Sequence, residues 1–206
     1  MHKKGFEIAV TMLVVLILSI VIFAGGLYLI REYFILAKEV QAQVDADTAR
    51  QINAKLLEGI EKVIIPIHKK RATGGQVVTF GMGVLNTLGN ENTFGMDVSF
   101  VNAYDKDTEQ LIEEAGQDYI NKNWIIQEYP DFLLEANARK VIPISVRVDN
   151  KMSEEVTTRR GGIYVFNVCV YKDPLKQINC GAERFIQPDL DVLHGNKVIK
   201  MYVQTD

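Results

Sequence analysis

A long apolar run near the N-terminus is followed by segments with two different periodicities. Residues 8–30, IAVTMLVVLILSIVIFAGGLYLI, contain no charged side chain. At about 1.5 Å per residue, a helix of this length reaches roughly 35 Å, which is enough to cross the hydrocarbon core of a bilayer. A buried core helix of a soluble protein is the alternative, but such helices are usually shorter. The pattern therefore predicts a transmembrane helix.

The charges on either side of this run predict its orientation. Lys3 and Lys4 precede it, and Arg31 and Glu32 follow it. The positive-inside rule then leaves residues 1–7 in the cytoplasm and places the rest of the chain outside. A cleaved secretory signal is the competing interpretation, but the apolar run is long for one and no small-residue cleavage site follows it. We expect a signal anchor of a single-pass protein of the cell membrane with an extracytoplasmic C-terminal domain.

Beyond the apolar run, the spacing of apolar residues is helical. The segment between residues 31 and 63 lacks proline, and its apolar positions recur every three or four residues. The pattern predicts a helix over residues 31–65, which either leans on the following domain as a stalk or packs on partner helices in an oligomer. Pro66 ends this helix because proline disfavours the helical conformation at the preceding residue. The mostly polar residues 66–75 indicate a linker.

From residue 76 onward the periodicity changes to two, as expected for strands with one buried face. Clusters of turn-forming residues separate the alternating segments. Strands are predicted at residues 77–86, 93–102, 140–148, 162–171, 177–186 and 197–204. Short strands separated by turns predict a mainly β fold, an antiparallel β-sandwich over residues 76–206.

An insertion at residues 105–131 interrupts the strand pattern. Asp107 is placed to cap a helix that continues through Tyr119 with an acidic outer face. Glu113 and Glu114 lie on that face. Neighbouring positions on a helix do not face each other, so a solvated acidic surface explains these glutamates better than an acid–base pair does.

The same insertion carries Trp124, which is the only tryptophan of the chain, and Tyr129. A single tryptophan usually packs in the core between two sheets, and the alternative is an exposed aromatic used for recognition. If the protein has a partner-binding surface, we expect it on this insertion, at Trp124, Tyr129, Glu113 and Glu114.

The two cysteines are predicted to meet across a hairpin. In the strand at residues 162–171 the aromatic and valine side chains form the more apolar face, which leaves Cys169 on the other face. A turn at residues 173–176 sets Cys169 directly across from Cys180. Opposed residues have Cα separations of about 4.5–5.5 Å, which a disulfide can span. A disulfide is predicted, and two free structural thiols are the alternative.

Composition narrows the function classes. The 206 residues are 48% hydrophobic with a formal net charge of −3, which leaves room for one membrane helix and one domain and argues against nucleic acid as a partner. The three histidines are scattered, and the sequence predicts neither a metal site nor a cofactor. It shows no set of nucleophile, base and orienting residue and no phosphate loop, so we expect no catalytic residues and no small-molecule substrate.

The N-terminus resembles the processing site of type IV prepilins and of archaeal class III signal peptides. The resemblance is carried by Lys3-Lys4-Gly5-Phe6 directly before the apolar helix. It implies cleavage between Gly5 and Phe6 on the cytoplasmic side, with the helix retained. Such pilins often carry a glutamate at the fifth mature position, where this chain has Val10.

The domain resembles the immunoglobulin-like surface modules of bacteria and archaea, including adhesion-type and archaellum stator-type domains. The resemblance is carried by the order of four motifs, VLNTLG at residues 84–89, a Phe-x-Met-x-Val strand, FLLEAN followed by VIPISV, and GGIYVFNV at residues 161–168. It implies an immunoglobulin-like β-sandwich held outside the cell by the N-terminal helix. Likeness of this kind implies a fold and a location and assigns no ligand.

These observations lead to one expected function and two alternatives. We expect a membrane-anchored structural or interaction protein, either a pilin-like subunit or an accessory of a surface appendage or envelope, whose partners are the membrane and other proteins. One alternative is a bitopic membrane protein whose sandwich binds a ligand or partner. The other is a surface enzyme that uses the insertion as a cover.

Overall fold

The computed structural model describes residues 12–23, 46–59, 61–126, 128–172, 179–181 and 192–206. The chain divides into two units, Met1–Ala42 and Gln43–Asp206. The predicted cytoplasmic segment, the Gly5–Phe6 processing site and residues 31–45 of the predicted stalk lie outside the described residues.

In the first unit, residues 12–23 form helix α1, and their side chains are exposed. All of them are apolar except Ser19, whose hydroxyl donates to the carbonyl oxygens of Val15 at 2.6 Å and Leu16 at 3.1 Å. The helix therefore satisfies its one polar side chain internally. Among the described residues, no helix has both the length and the apolar character needed to span a membrane.

Helix α2, Ala46–Leu57, belongs to the second unit and packs on its β structure. Ile52 and Leu56, one turn apart, are fully buried and form a cluster with Ile64. Gly83 makes this close approach possible, because a Cβ atom there would collide with the Ile52 side chain. The helix ends at Leu57, two residues before Gly59, whose φ of +70° favours glycine. The predicted helix over residues 31–65 is thus wrong beyond residue 57.

The regular secondary structure in the rest of the described chain consists of eight strands and one further helix. They are β1 Val63–Ile64, β2 Lys69–Ala72, β3 Val77–Leu85, β4 Asn92–Asp105, helix α3 Gln117–Asn123, β5 Phe132–Leu134, β6 Arg139–Arg147, β7 Gly162–Tyr171 and β8 Ile199–Thr205. The strands form a three-stranded sheet, β1-β3-β6, and a five-stranded sheet, β2-β8-β7-β4-β5. All pairs are antiparallel except β2 with β8, which is parallel.

The two sheets enclose one core, so the fold is mainly β and a β-sandwich. Every second residue of each long strand points inward, as the alternation predicts. The fully buried side chains of this core include Phe80, Met82 and Val84 of β3, Ile144 and Val146 of β6, Phe94 and Phe100 of β4, Tyr164, Phe166 and Val168 of β7, and Met201 and Val203 of β8. The outer face of the five-stranded sheet carries two facing pairs of β4 and β7, Asp97 with Cys169 and Ser99 with Asn167.

The predicted linker at residues 66–75 is wrong, because its basic run forms strand β2. Lys69–Ala72 pairs with the C-terminal strand β8, with Lys69 opposite Tyr202. Lys70 donates to the carbonyl of Thr79 at 2.7 Å and lies over the ring of Phe80. An edge strand tolerates charged side chains, which is why a basic run resembled a solvated linker.

The other strand predictions differ in outcome. The alternating segments near residues 77–86, 93–102, 140–148, 162–171 and 197–204 are confirmed as β3, β4, β6, β7 and β8. The strand predicted at 177–186 is wrong at residues 179–181, which form a turn, and its other residues lie outside the described part. Strand β4 also continues three residues beyond its predicted end, to Asp105.

Candidate functional site

The insertion after β4 starts with a tight turn instead of a helix. The Asp105 carboxylate accepts hydrogen bonds from the backbone N–H groups of Asp107 and Thr108, both at 3.0 Å. These bonds lower the pKa of Asp105, the bond from Thr108 most. Tyr104 then forms an isolated antiparallel bridge with Leu111. The prediction of a helix capped by Asp107 is wrong, and helix α3 begins only at Gln117.

Trp124, at the end of α3, is a core residue. Its side chain is fully buried, and its ring centroid lies 4.5 Å from that of Tyr164 on β7. Its indole N–H donates to the carbonyl of Lys151 at 2.9 Å, so its polar atom is satisfied as well. The core interpretation is confirmed. The prediction of Trp124 as part of a partner surface is wrong, because no part of its side chain reaches solvent.

The remaining predicted surface residues lie apart from one another. Glu113 and Glu114 are exposed, and Tyr129 is half-buried against the main core. Glu114 lines a groove of about 920 Å³ together with residues of α3 and of the 153–156 loop, whereas Tyr129 lines a separate groove of about 310 Å³ near Phe132. The two grooves have no lining residue in common.

The groove beside α3 is acidic. Its ionisable side chains are Glu114, Asp118, Lys122, Glu154 and Glu155, and Tyr119 also lines it. The Tyr119 hydroxyl donates to Asp149 at 3.1 Å. Burial raises the pKa of Tyr119, and Asp149 acts in the same direction. The groove therefore presents mainly carboxylates, which favour a positively charged partner.

Helix α3 is attached to the sheet at a β-bulge. The β4–β7 register shifts between Phe100 and Asn102, so the ladder is locally interrupted. The backbone N–H of Phe100 donates to Oδ1 of Asn121 at 2.6 Å, and its carbonyl accepts from Nε2 of Gln117 at 3.1 Å. Gln117 Nε2 also lies 3.2 Å from the carbonyl of Gly181. Side-chain amides thus replace the hydrogen bonds that the bulge removes.

Gly181 belongs to the turn that carries the disulfide. Cys169 and Cys180 are bonded, with their Cα atoms 6.3 Å apart, which confirms the predicted disulfide. The predicted hairpin register is wrong, because β7 pairs with Asp97 of β4 on one edge and, at Tyr171, with Leu193 on the other, while Cys180 lies in a turn. Cys180 lies in a turn that crosses the outer face of the sheet, held by Asn167, whose Nδ2 donates to the Cys180 carbonyl at 2.7 Å.

Asp97 completes this attachment. Its Oδ2 atom accepts from the backbone N–H of Cys180 at 2.9 Å and from the hydroxyl of Ser99. The carboxylate and the two sulfur atoms lie within 4.8 Å of one another, a spacing that metal ligands also show. Because the sulfurs are bonded to each other, neither is a thiolate that could bind a metal, and Asp97 acts as a hydrogen-bond acceptor for the turn.

His194 is a buried histidine that the sequence left without a role. Its side chain is fully buried against Phe94, with ring centroids 4.7 Å apart, and its Nε2 atom lies 2.6 Å from the carbonyl oxygen of Leu85. Within the described residues its Nδ1 atom has no hydrogen-bond partner. Burial lowers the pKa of His194, and the charges of Lys62 and Lys172 add to that effect. His194 thus connects the segment before β8 to Leu85, at the end of β3 in the other sheet.

Comparison with known proteins gives only distant structural likenesses. No family model matches the sequence, and no curated protein matches it. Among solved structures, the chain is similar to PapD-like domain 7 of human CEP192, with 10% identity and a TM-score of 0.37 over 71% of this chain and 84% of that one. It is also similar to a FixG-related protein from Vibrio parahaemolyticus, with 9% identity and a TM-score of 0.34 over 69% and 94% of the two chains.

A third solved structure is the class 5 fimbriae chaperone CfaA, with 9% identity and a TM-score of 0.34 over 70% of this chain and 57% of that one. Likenesses at this level assign neither a family nor a function. The assignment of a β-sandwich rests on the strand pairing of this chain.

Proposed function

We propose that this protein is a single-pass membrane protein that holds a β-sandwich outside the cytoplasm and serves as a structural or interaction component of the envelope or of a surface appendage. The observation that carries the proposal is helix α1. From Met12 to Phe23 its apolar side chains are exposed around the whole helix, and its only polar side chain, Ser19, bonds to the helix itself. Lipid chains cover such a surface better than water does.

The rest of the apolar run and its flanking charges support the same proposal. The charge-free stretch extends from residue 8 to residue 30, beyond the described part of α1. Lys3 and Lys4 on one side favour a cytoplasmic N-terminus. The Cys169–Cys180 disulfide supports an oxidising location for the β-sandwich, since disulfides persist outside the cytosol.

The exposed acidic groove beside α3 supports an interaction role. Glu114, Asp118, Glu154 and Glu155 outnumber Lys122, the one basic residue that lines it. We propose this groove, with neighbouring Glu113, as the surface for a basic protein partner. The immunoglobulin-like and pilin-like resemblances of the sequence support a place in an appendage, either as a subunit or as an accessory, and the role proposed is non-catalytic.

Labelling of tagged protein tests the orientation. In intact cells, an epitope tag placed after Asp206 should bind antibody without permeabilisation, whereas a tag placed before Lys3 should bind only after it. A Lys3→Glu, Lys4→Glu variant is the matched control, and it should lose this orientation in part because the positive flank is removed. A C-terminal tag that stays hidden in intact cells would contradict the proposal.

Intact-mass analysis of the same native membrane protein tests the pilin-like branch. Loss of residues 1–5 is expected if the resemblance at Gly5 and Phe6 is functional, and a Gly5→Val variant should then keep these residues. If the uncleaved chain is the only form of the native protein, the protein is a simple membrane anchor and the pilin-like branch is wrong.

A further inference from the structure

The outer face of the five-stranded sheet is divided into two halves. Over Asp97 and Asn167 the disulfide-bonded turn at residues 179–181 covers the sheet. The other half forms a groove of about 520 Å³, within the usual range for small-molecule sites. Its lining residues come from β2, β4, β7 and β8, from His68 just before β2, and from the turn after β4.

Two tyrosines stand on either side of an aliphatic floor. In the strand register, Tyr104 of β4 is opposite Ile163 of β7, and Val165 of β7 is opposite Tyr202 of β8. The floor therefore consists of two neighbouring aliphatic side chains on one strand, with an aromatic ring on each flanking strand. A rigid sheet holds these four side chains, which favours a preformed site.

Both rings are oriented by neighbours. The hydroxyl of Tyr104 accepts a hydrogen bond from Nδ2 of Asn102 at 2.8 Å, which leaves its own proton available to a ligand. Tyr202 meets His68 edge to face, with ring centroids 6.1 Å apart. Ordering the rings before binding reduces the entropy that a ligand must overcome.

The main chain of β7 and β8, beneath the centre of the groove, is paired on both edges. Strand β7 is hydrogen-bonded to β4 and β8, and β8 is also bonded to β2, where the N–H of Tyr202 donates to the His68 carbonyl at 2.7 Å. A peptide that adds as a strand would use an edge of the sheet, which β2 and β5 form, and a peptide lying across this face would leave its own amides unpaired. An acyl chain would cover the aliphatic floor but would leave the ionisable side chains that also line this groove without partners.

We propose that this groove binds a glycan. A pyranose ring has an apolar C–H face that stacks on a tyrosine and hydroxyls at its edge that need donors and acceptors. Lys69 and Lys106 supply donors, and Glu109 supplies an acceptor, while Oδ1 of Asp105 is already engaged by its own turn. The ligand class rests on the proposed location outside the cytoplasm, where the sandwich meets surface polysaccharides.

The test uses the full chain purified in detergent micelles. It is screened against an array of neutral and uronic-acid-containing oligosaccharides of three to six units, and the best binder is then titrated by calorimetry. Tyr202→Ala should weaken binding about tenfold, because one stacking surface is lost. Leu133→Ala, at an exposed position of the edge strand β5 outside the groove, should bind as the unmodified chain does.

A Lys69→Gln, Lys106→Gln variant keeps the test decisive if Tyr202→Ala does not fold, because both lysines are exposed. It should melt as the unmodified chain does and bind the glycan several-fold more weakly. Absence of binding to every oligosaccharide, or binding that neither variant weakens, would overturn the proposal. The tag-labelling result does not depend on glycan binding, so failure of this site and failure of the proposed membrane topology can be told apart.

Discussion

The Oδ1 atom of Asn121 accepts a hydrogen bond from the backbone N–H of Phe100 at 2.6 Å. Phe100 is buried beside the β-bulge, where the ladder to β7 shifts register. The bond gives a buried N–H its partner and fixes helix α3 against β4. Through Gln117, which contacts the carbonyls of Phe100 and Gly181, the same helix is tied to the disulfide turn.

Removal of the Asn121 amide should destabilise the sandwich. Asn121→Ala leaves the Phe100 N–H buried without a partner, which costs about 1–3 kcal/mol of the free energy of unfolding. The matched control is Asn123→Ala in the same helix, whose exposed side chain bonds to the Tyr119 carbonyl one turn earlier, and a change of about 0.5 kcal/mol or less is expected. Urea unfolding followed by tryptophan fluorescence measures both, and equal losses would contradict the role given to Asn121.

Truncation of Trp124 should affect folding strongly. Trp124→Ala removes a fully buried ring that contacts Tyr164, which predicts a loss of about 3–5 kcal/mol in the free energy of unfolding. Leu111→Ala, at an exposed position of the same insertion, should cost much less. Circular dichroism during thermal unfolding compares the two. A Trp124→Ala protein as stable as the unmodified chain would mean that the ring is not in the core.

Loss of the disulfide should lower stability without changing the fold. The bond closes a loop between positions 11 residues apart, and such a loop contributes about 2–3 kcal/mol in the chain-entropy model. A Cys169→Ser, Cys180→Ser variant should therefore melt several degrees lower, with an unchanged β-sheet spectrum. Thiol labelling of unreduced, denatured native protein is the direct check, and quantitative labelling of both cysteines would rule out the pair.

Buried His194 should make stability depend on pH. Its pKa is lowered in the folded state, whereas in the unfolded chain the ring takes up a proton near pH 6.5. The unfolded state thus binds more protons below that pH. The contribution of His194 to the free energy of unfolding should be fully present above about pH 7. It should fall as the pH decreases toward the folded pKa, by at most about 1.4 kcal/mol per pH unit.

Urea unfolding at a series of pH values between about 7.5 and 5.5 measures this slope. His194→Gln should remove the part of the slope that His194 contributes, at some cost in stability at the higher pH. An unchanged slope in His194→Gln would show that other groups cause the pH dependence.

The sequence by itself determined those parts of the fold in which local pattern and burial agree. Strands β3, β4, β6 and β7 alternate because one face of each meets the core, and this period of two is legible without a structure. The same rule placed Cys169 on the outer face of β7, where it forms the disulfide, although the hairpin register from which Cys180 was predicted as its partner is wrong. The charge-free run at residues 8–30 is similarly a local property of the chain.

Only the tertiary structure decided the elements whose partners are distant in sequence. The basic strand β2 exists because it pairs with β8, more than a hundred residues away, and no local signal distinguishes it from a linker. The turn at Cys180 crosses the face of the sheet because Asp97 and Asn167 bind its backbone. For Trp124 the sequence favoured a core position but not its partners, which are Tyr164 and the carbonyl of Lys151. The hydrogen bonds that hold α3 at the β-bulge are long-range and leave no periodicity in the sequence.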